Sequence, residues 1–122
     1  MSAAGGCLCG AVRYEVKGEL RGIFICHCVE CLRWSGAPFA ATACSRDQLV
    51  VVDEASLRWV PSPESTQSAR RGFCGICGSS LFWDAPAADT VSIGAGTLDD
   101  SSGLAVIKHV YAHQAPPWDV VG

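Results

Sequence analysis

Seven of the eight cysteines in this 122-residue chain stand in three tight groups: Cys7-Leu8-Cys9, Cys26-His27-Cys28-Val29-Glu30-Cys31, and Cys74-Gly75-Ile76-Cys77 followed by Gly78. In an extended segment, residues i and i+2 project from one face. Cys7 and Cys9 can therefore point at one ion, as can Cys26 and Cys28. A Cys-x-x-Cys pair converges instead through a tight turn, where Gly75 and Gly78 relieve crowding around the sulfurs. Zinc takes four tetrahedral ligands at structural sites and three plus an open position at catalytic ones. Seven cysteines divide naturally as four and three. Cys7, Cys9, Cys74 and Cys77 can close one site, and Cys26, Cys28 and Cys31 can form a second with an open position. Spacing suggests this division but leaves the pairing across the chain open. Disulfides are the poorer reading, because a Cys-x-Cys pair rarely bridges without strain.

The remaining chemistry-bearing residues are mostly expected to be structural. Cys44, in Ala40-Ala41-Thr42-Ala43-Cys44, reads as a small buried residue on a strand. His27 lies between two ligands and is expected to hydrogen-bond behind them rather than bind metal. His109 and His113 have no ligand spacing and read as structural. Arg33, Arg70 and Arg71 lie close in sequence to the second and third groups. They are either solvated, or placed to attract a carboxylate or hydrogen-bond to sulfur. Trp34 and Phe39 favour buried packing over walling a pocket, and Trp59, Trp83 and Trp118 read as core or edge packing. Ser79 and Ser80 are placed to satisfy amides of the Cys-x-x-Cys turn. No serine–histidine–acid arrangement, phosphate-cradling loop or dinucleotide fingerprint is present.

The elements that must position these groups are strands. Ala11–Lys17 alternates apolar and polar residues, as a half-buried strand should. Further strands are expected over 22–25, 38–44, 48–52, 56–60, 80–84, 90–94 and 105–111, with turn residues between them. Val29–Trp34 can wind one short helical turn. The result is a mostly β architecture of small twisted sheets, with metal clips compensating for limited cores.

Composition agrees. At 12.8 kDa, with 49% hydrophobic and 17% charged residues, the chain suffices for one packed domain, expected to span 1–122 with its core at about 5–120. The formal charge of −3 disfavours a general nucleic-acid surface. No apolar run approaches the roughly 20 residues of a membrane span, and the N-terminus lacks a secretory pattern. The expectation is a cytoplasmic protein with neither nucleic-acid nor membrane partners. Cysteine at this density in a reducing compartment points to metal.

The set Gly6-Cys7-Leu8-Cys9-Gly10-Ala11-Val12-Arg13-Tyr14, Cys26–Cys31, Ser35-Gly36-Ala37-Pro38-Phe39 and Arg71–Ser79, with Gly96-Thr97-Leu98-Asp99-Asp100 and Pro117-Trp118, resembles the glutathione-dependent formaldehyde-activating enzymes. The likeness runs from about residue 5 to 120. It implies a β-tent fold of small antiparallel sheets organised around zinc. It also implies that Cys7, Cys9, Cys74 and Cys77 hold a structural zinc, while Cys26, Cys28 and Cys31 hold a catalytic one. The activity implied is carbon–sulfur lyase chemistry on a thiol–aldehyde adduct, S-hydroxymethylglutathione from glutathione and formaldehyde. The competing expectations are a zinc-stabilised binding module without turnover, and a thiol-based redox or metal sensor. Seven thiolates and two Zn²⁺ would lower the formal charge from −3 to about −6, so an anionic thiol needs local cationic help. Nothing in the sequence bears on oligomeric state.

Overall fold

The computed structural model describes residues 2–120. Among the described residues, ten strands form two sheets. They are β1 (Ala3–Gly6), β2 (Arg13–Val16), β3 (Ile23–Cys26), β4 (Phe39–Ser45), β5 (Leu49–Asp53), β6 (Leu57–Pro61), β7 (Arg70–Cys74), β8 (Ser80–Asp84), β9 (Thr90–Gly94) and β10 (Val106–Val110). One helix, α1 (Val29–Ser35), follows β3. The small sheet has the order β1-β2-β5, and the large one β10-β3-β4-β9-β8-β7-β6. Every pairing is antiparallel except that of the edge strand β10 with β3.

The alternation read in Arg13-Tyr14-Glu15-Val16 is real: Tyr14 and Val16 are fully buried, while Arg13 and Glu15 stay half-exposed. Tyr14 and Val16 join Val12, Cys74, Leu81, Phe82 and Ile93 in the main core, which lies between the sheets. Tyr14 meets Phe82 edge-on at 5.3 Å and exchanges a 2.7 Å hydrogen bond with Thr97. This satisfies the phenol inside the core. Leu98 bridges to Gly5, and Asp99 receives both arms of the Arg13 guanidinium at 3.0 and 2.6 Å. The Gly96–Asp100 segment thus clamps the small sheet to the large one.

Two strands have no legible pattern in the sequence. β1 is Ala-Ala-Gly-Gly, and a Cβ on Gly5 would lie 2.3 Å from the Tyr14 hydroxyl and 2.4 Å from the Thr97 carbonyl. β7 is Arg-Arg-Gly-Phe-Cys, polar in appearance yet paired on both sides by β6 and β8. Its Gly72 admits the rings of Trp59 and Phe82.

The register of the large sheet sorts its residues between faces. Gly72, Phe82 and Ile93 share the core face. Cys26 pairs Phe39, Phe24 pairs Ala41, and Arg71, Trp83 and Ser92 are successive neighbours across β7, β8 and β9. These residues share the opposite face, where the cavity described next is found.

Candidate metal centres and cavity

Cys7, Cys9, Cys74 and Cys77 come together, as do Cys26, Cys28 and Cys31; within each group the sulfurs lie within 4.8 Å of one another. Tetrahedral zinc–sulfur bonds of about 2.3 Å place sulfurs about 3.8 Å apart. The observed separations are 3.6 Å for Cys7–Cys9, 3.8 Å for Cys9–Cys74 and 3.3 Å for Cys26–Cys28. None of the eight cysteines is joined in a disulfide. The donor sets therefore suit a thiophilic, tetrahedral ion.

The four-cysteine group is assembled by two turns. Gly78 at φ +80° closes the Cys74–Cys77 turn, its N–H donating to the Cys74 carbonyl at 2.8 Å. Amides of Ile76 and Cys77 point at Cys74 Sγ, at 3.4 and 3.5 Å, and Val12 N–H donates to Cys7 Sγ at 3.2 Å. Burial opposes ionisation of Cys7, yet the Val12 amide and the neighbouring sulfurs hold that thiol below its ordinary range. Ser79 hydrogen-bonds to Cys77 Sγ, which with nearby backbone amides pulls that thiol down to about 5. Ser79 also accepts from Leu8 N–H at 2.9 Å, joining the turns across 71 residues.

The three-cysteine group is built at a strand–helix junction. Cys26 ends β3. Cys28 is the N-cap of α1, its sulfur accepting from Cys31 N–H at 3.3 Å, and Cys31 lies one turn in. Gly36, at φ +79°, ends the helix and donates to Leu32 O. Behind the sulfurs His27 is 2% exposed; its Nδ1 hydrogen-bonds Asp119 and its Nε2 lies 2.9 Å from His109 Nδ1. This matches the supporting role expected of His27. His109 shares in it, while His113 is exposed beside Tyr111. Gln114 accepts from Val29 N–H at 3.0 Å, so the segment after β10 is tied to the triad at two points.

Among the three arginines, Arg71 reaches sulfur. It is 5% exposed, donates from Nη1 to Cys31 Sγ at 3.5 Å and from Nε to Ser62 Oγ at 3.1 Å, and lies 3.7 Å from Glu30. Glu30 also binds the Ser62 hydroxyl and accepts from Glu64 N–H at 2.6 Å, pinning the 62–66 loop to α1. The Cys26 and Cys31 thiols are shifted in opposite directions. Contact with Cys31 and burial push the Cys26 thiol up. Cys31 is drawn down to about 6 against its burial, first by the hydrogen bond from Cys26 and then by Arg71. Arg70 instead stacks on Trp59 and pairs with Asp84, and Arg33 is exposed.

The triad opens into a cavity of about 600 Å³. Its apolar wall includes Phe24, Phe39, Ala41, Trp83 and Val110, and its polar rim includes Arg21, Ser65, Thr66 and Gln114. Trp83 is thus a wall residue rather than plain packing, and Trp118 is 66% exposed rather than packed. Phe39 both packs on Trp34 and lines the cavity. Cys44 is buried on β4, as read from the sequence. No residue of the four-cysteine group lines the cavity. Arg21, Ser62, Gln114 and Asp119 belong to no local motif that the sequence shows, and the contacts of Ser62 with Glu30, Gln114 with Val29 and Asp119 with His27 span 32, 85 and 92 residues.

Fold and site together define a mostly β protein with two cysteine clusters able to hold metal, one of them at a cavity. The chain belongs to the glutathione-dependent formaldehyde-activating enzyme family, whose sequence profile matches residues 2–114. A crystal structure of a Rhodobacter sphaeroides protein from a structural genomics programme superposes with a TM-score of 0.68. It is 26% identical, and the match covers 87% of this chain and 98% of that one. No curated protein matches the chain. No helix among the described residues is long and apolar enough to cross a membrane.

Proposed function

We propose that the protein is a zinc-dependent carbon–sulfur lyase acting on a thiol–aldehyde adduct such as S-hydroxymethylglutathione. Cys7, Cys9, Cys74 and Cys77 would hold a structural zinc, and Cys26, Cys28 and Cys31 a catalytic one. The observation that carries this reading is the difference between the two clusters: four sulfurs close around one point, whereas three line a cavity large enough for a small thiol. A zinc ion on the triad would supply Lewis acidity toward a thiol sulfur or an aldehyde oxygen and keep a thiol ionised at neutral pH.

The chain's own residues serve the reaction in three ways. Phe24, Phe39 and Trp83 line the reacting space with apolar surface, which strengthens the electrostatic interactions inside. Three thiolates carry more negative charge than a divalent ion cancels; the buried Arg71 guanidinium on Cys31 offsets part of the excess, and Glu30 and Ser62 hold it there. The Asp119–His27 contact and the Gln114 bond to Val29 hold the strand end and helix start that present the sulfurs. In adduct cleavage the C–S bond breaks with its electron pair going to sulfur. The hydroxyl proton leaves to water in the cavity, and thiolate and aldehyde are released; formation is the reverse.

Exchange NMR tests this. Fully zinc-loaded protein should speed the interconversion of glutathione plus formaldehyde with S-hydroxymethylglutathione, and Cys28→Ser should abolish the acceleration. An exchange rate unchanged by loaded protein would remove the glutathione–formaldehyde assignment.

A further inference from the structure

The floor of the cavity carries small residues at the centre of a sheet, where large apolar ones usually stand. β4 and β9 are interior strands of the large sheet, so both of their faces need cover. On one face Ile93 packs with its neighbour Phe82 in the main core. On the other, β4 presents Ala41 and β9 presents Ser92, and both line the cavity. Gly94, the partner of Ala41, adds no side chain; a Cβ there would come within 3.3 Å of the Phe39 ring.

Large rings stand on the strands to either side. β3 contributes Phe24, the partner of Ala41, and β8 contributes Trp83, the partner of Ser92. Both rings are half-buried and line the cavity. The Arg21 guanidinium, 3.6 Å from the ring centroid, fixes Phe24, and Phe39 closes the Cys26 end, packed on Trp34 at 5.2 Å. Three strand spacings separate β3 from β8, about 14 Å in all. That span admits an alkyl chain or one further ring, with ordinary contacts of about 4 Å on each side.

The polar groups are segregated from this slot. Glu64, Ser65 and Thr66 come from the loop pinned to α1, and Gln114 from the segment after β10. Glu30 and Arg71 are engaged with each other and with Ser62. An adduct seated with its sulfur and hydroxyl at the triad carries two substituents, one from the thiol and one from the carbonyl carbon. The polar backbone of a peptide thiol matches the loop side and has nothing to offer an aromatic slot. Formaldehyde, with hydrogen alone on its carbonyl carbon, has nothing to place there either.

We propose that the slot floored by Ala41 and Ser92, between Phe24 and Trp83, receives an apolar substituent on the carbonyl carbon, so that the protein prefers alkyl and aryl aldehydes to formaldehyde. This deepens the reading of the triad cavity as a thiol–aldehyde site and rests on it. The chemistry balances as before: the thiol sulfur bonds to the carbonyl carbon, the C=O π pair moves to oxygen, and the thiol proton ends there. Cleavage reverses each step. Ser92 and Trp83 are then specificity residues.

Calorimetric titration of the full, zinc-loaded chain with S-methylglutathione and S-hexylglutathione tests the slot without turnover, since these thioethers differ only in the alkyl chain. A buried methylene is worth about fourfold in affinity, so wild type should bind the hexyl compound at least tenfold more tightly. Ser92→Leu fills the floor and should bring the two within about threefold. Trp83→Ala removes a wall and should cut the preference about tenfold. Should that variant fail to fold, Ser92→Leu keeps the test decisive, because it only adds volume to an open space. Exchange NMR with glutathione as the thiol gives a second arm. In wild type kcat/KM should rise from formaldehyde through propanal to hexanal, and Ser92→Leu should lose the rise. Equal binding of the two thioethers by wild type, or a hexyl preference untouched by both substitutions, would overturn the slot. A hexyl preference that Ser92→Leu removes, without exchange catalysis of any aldehyde, would support the slot and remove the proposed activity. Formaldehyde exchange that is catalysed but falls off with aldehyde chain length would keep the activity and overturn the slot.

Discussion

Adjacent arginines can have opposite destinies, and strand geometry decides which. Arg70 and Arg71 are neighbours on β7, so their side chains leave on opposite faces. Arg71 enters the cavity and meets Cys31, while Arg70 stacks on Trp59 and, with Arg46, encloses the buried Asp84 carboxylate. Burial alone would raise the pKa of Asp84, but the hydrogen bonds from Arg46 and Arg70 outweigh it and hold the carboxyl below its ordinary range. A depressed pKa contributes stability that is present above the unfolded value of about 3.9 and is lost as pH falls through the folded value. Asp84→Asn should accordingly cost about 2 kcal/mol at pH 7. The gap to wild type should close as denaturant melts are taken from pH 5 toward pH 2. A difference that stayed constant over that range would assign the loss to packing rather than charge.

The turn after Cys74 shows what a short element must supply. Gly78 is at φ +80°, and a Cβ there would meet nothing within 4 Å, so its requirement for glycine is purely one of backbone conformation. Gly78→Ala should cost roughly 1 kcal/mol. It should weaken metal retention at Cys74 and Cys77 while leaving the Cys26–Cys28–Cys31 site unchanged, as chelator competition followed by the Co²⁺–thiolate absorption of each site would show. The helix obeys a similar economy. Seven residues are too few to be stable alone. α1 is held by the Cys28 cap, Gly36, the Gln114 contact and Glu30 on the 62–66 loop, so the triad's geometry is borrowed from segments far along the chain.

For the whole chain, the two clusters have different consequences. Cys7 and Cys74 are part of the main core and join the small sheet to the β7–β8 turn, whereas Cys26, Cys28 and Cys31 lie in a separate cluster with Phe39 and Ala41. A structural zinc contributes on the order of 10 kcal/mol in small metal domains. Cys74→Ser should therefore abolish cooperative folding. Cys28→Ser should fold with near-native circular dichroism and bind one zinc in place of two by mass spectrometry under native conditions. Similar behaviour of the two variants would show that the clusters are not separate sites.

Much of this was readable in the primary structure, because spacing and alternation are local. Cys-x-Cys, Cys-x-x-Cys with its glycines, and Arg13-Tyr14-Glu15-Val16 each state their geometry within a few residues. β1 and β7 were not readable, since their small and polar residues are chosen to fit Tyr14, Trp59 and Phe82 rather than to show a period. Folding also settled matters no motif records: that Cys9 meets Cys74 across 65 residues, that Arg71 rather than Arg70 or Arg33 reaches sulfur, and that Arg21 is held by the Ala41 carbonyl on β4. Each of these depends on sheet register. A shift of one residue would exchange the cavity face for the core face, and a short window of sequence does not set register between distant strands.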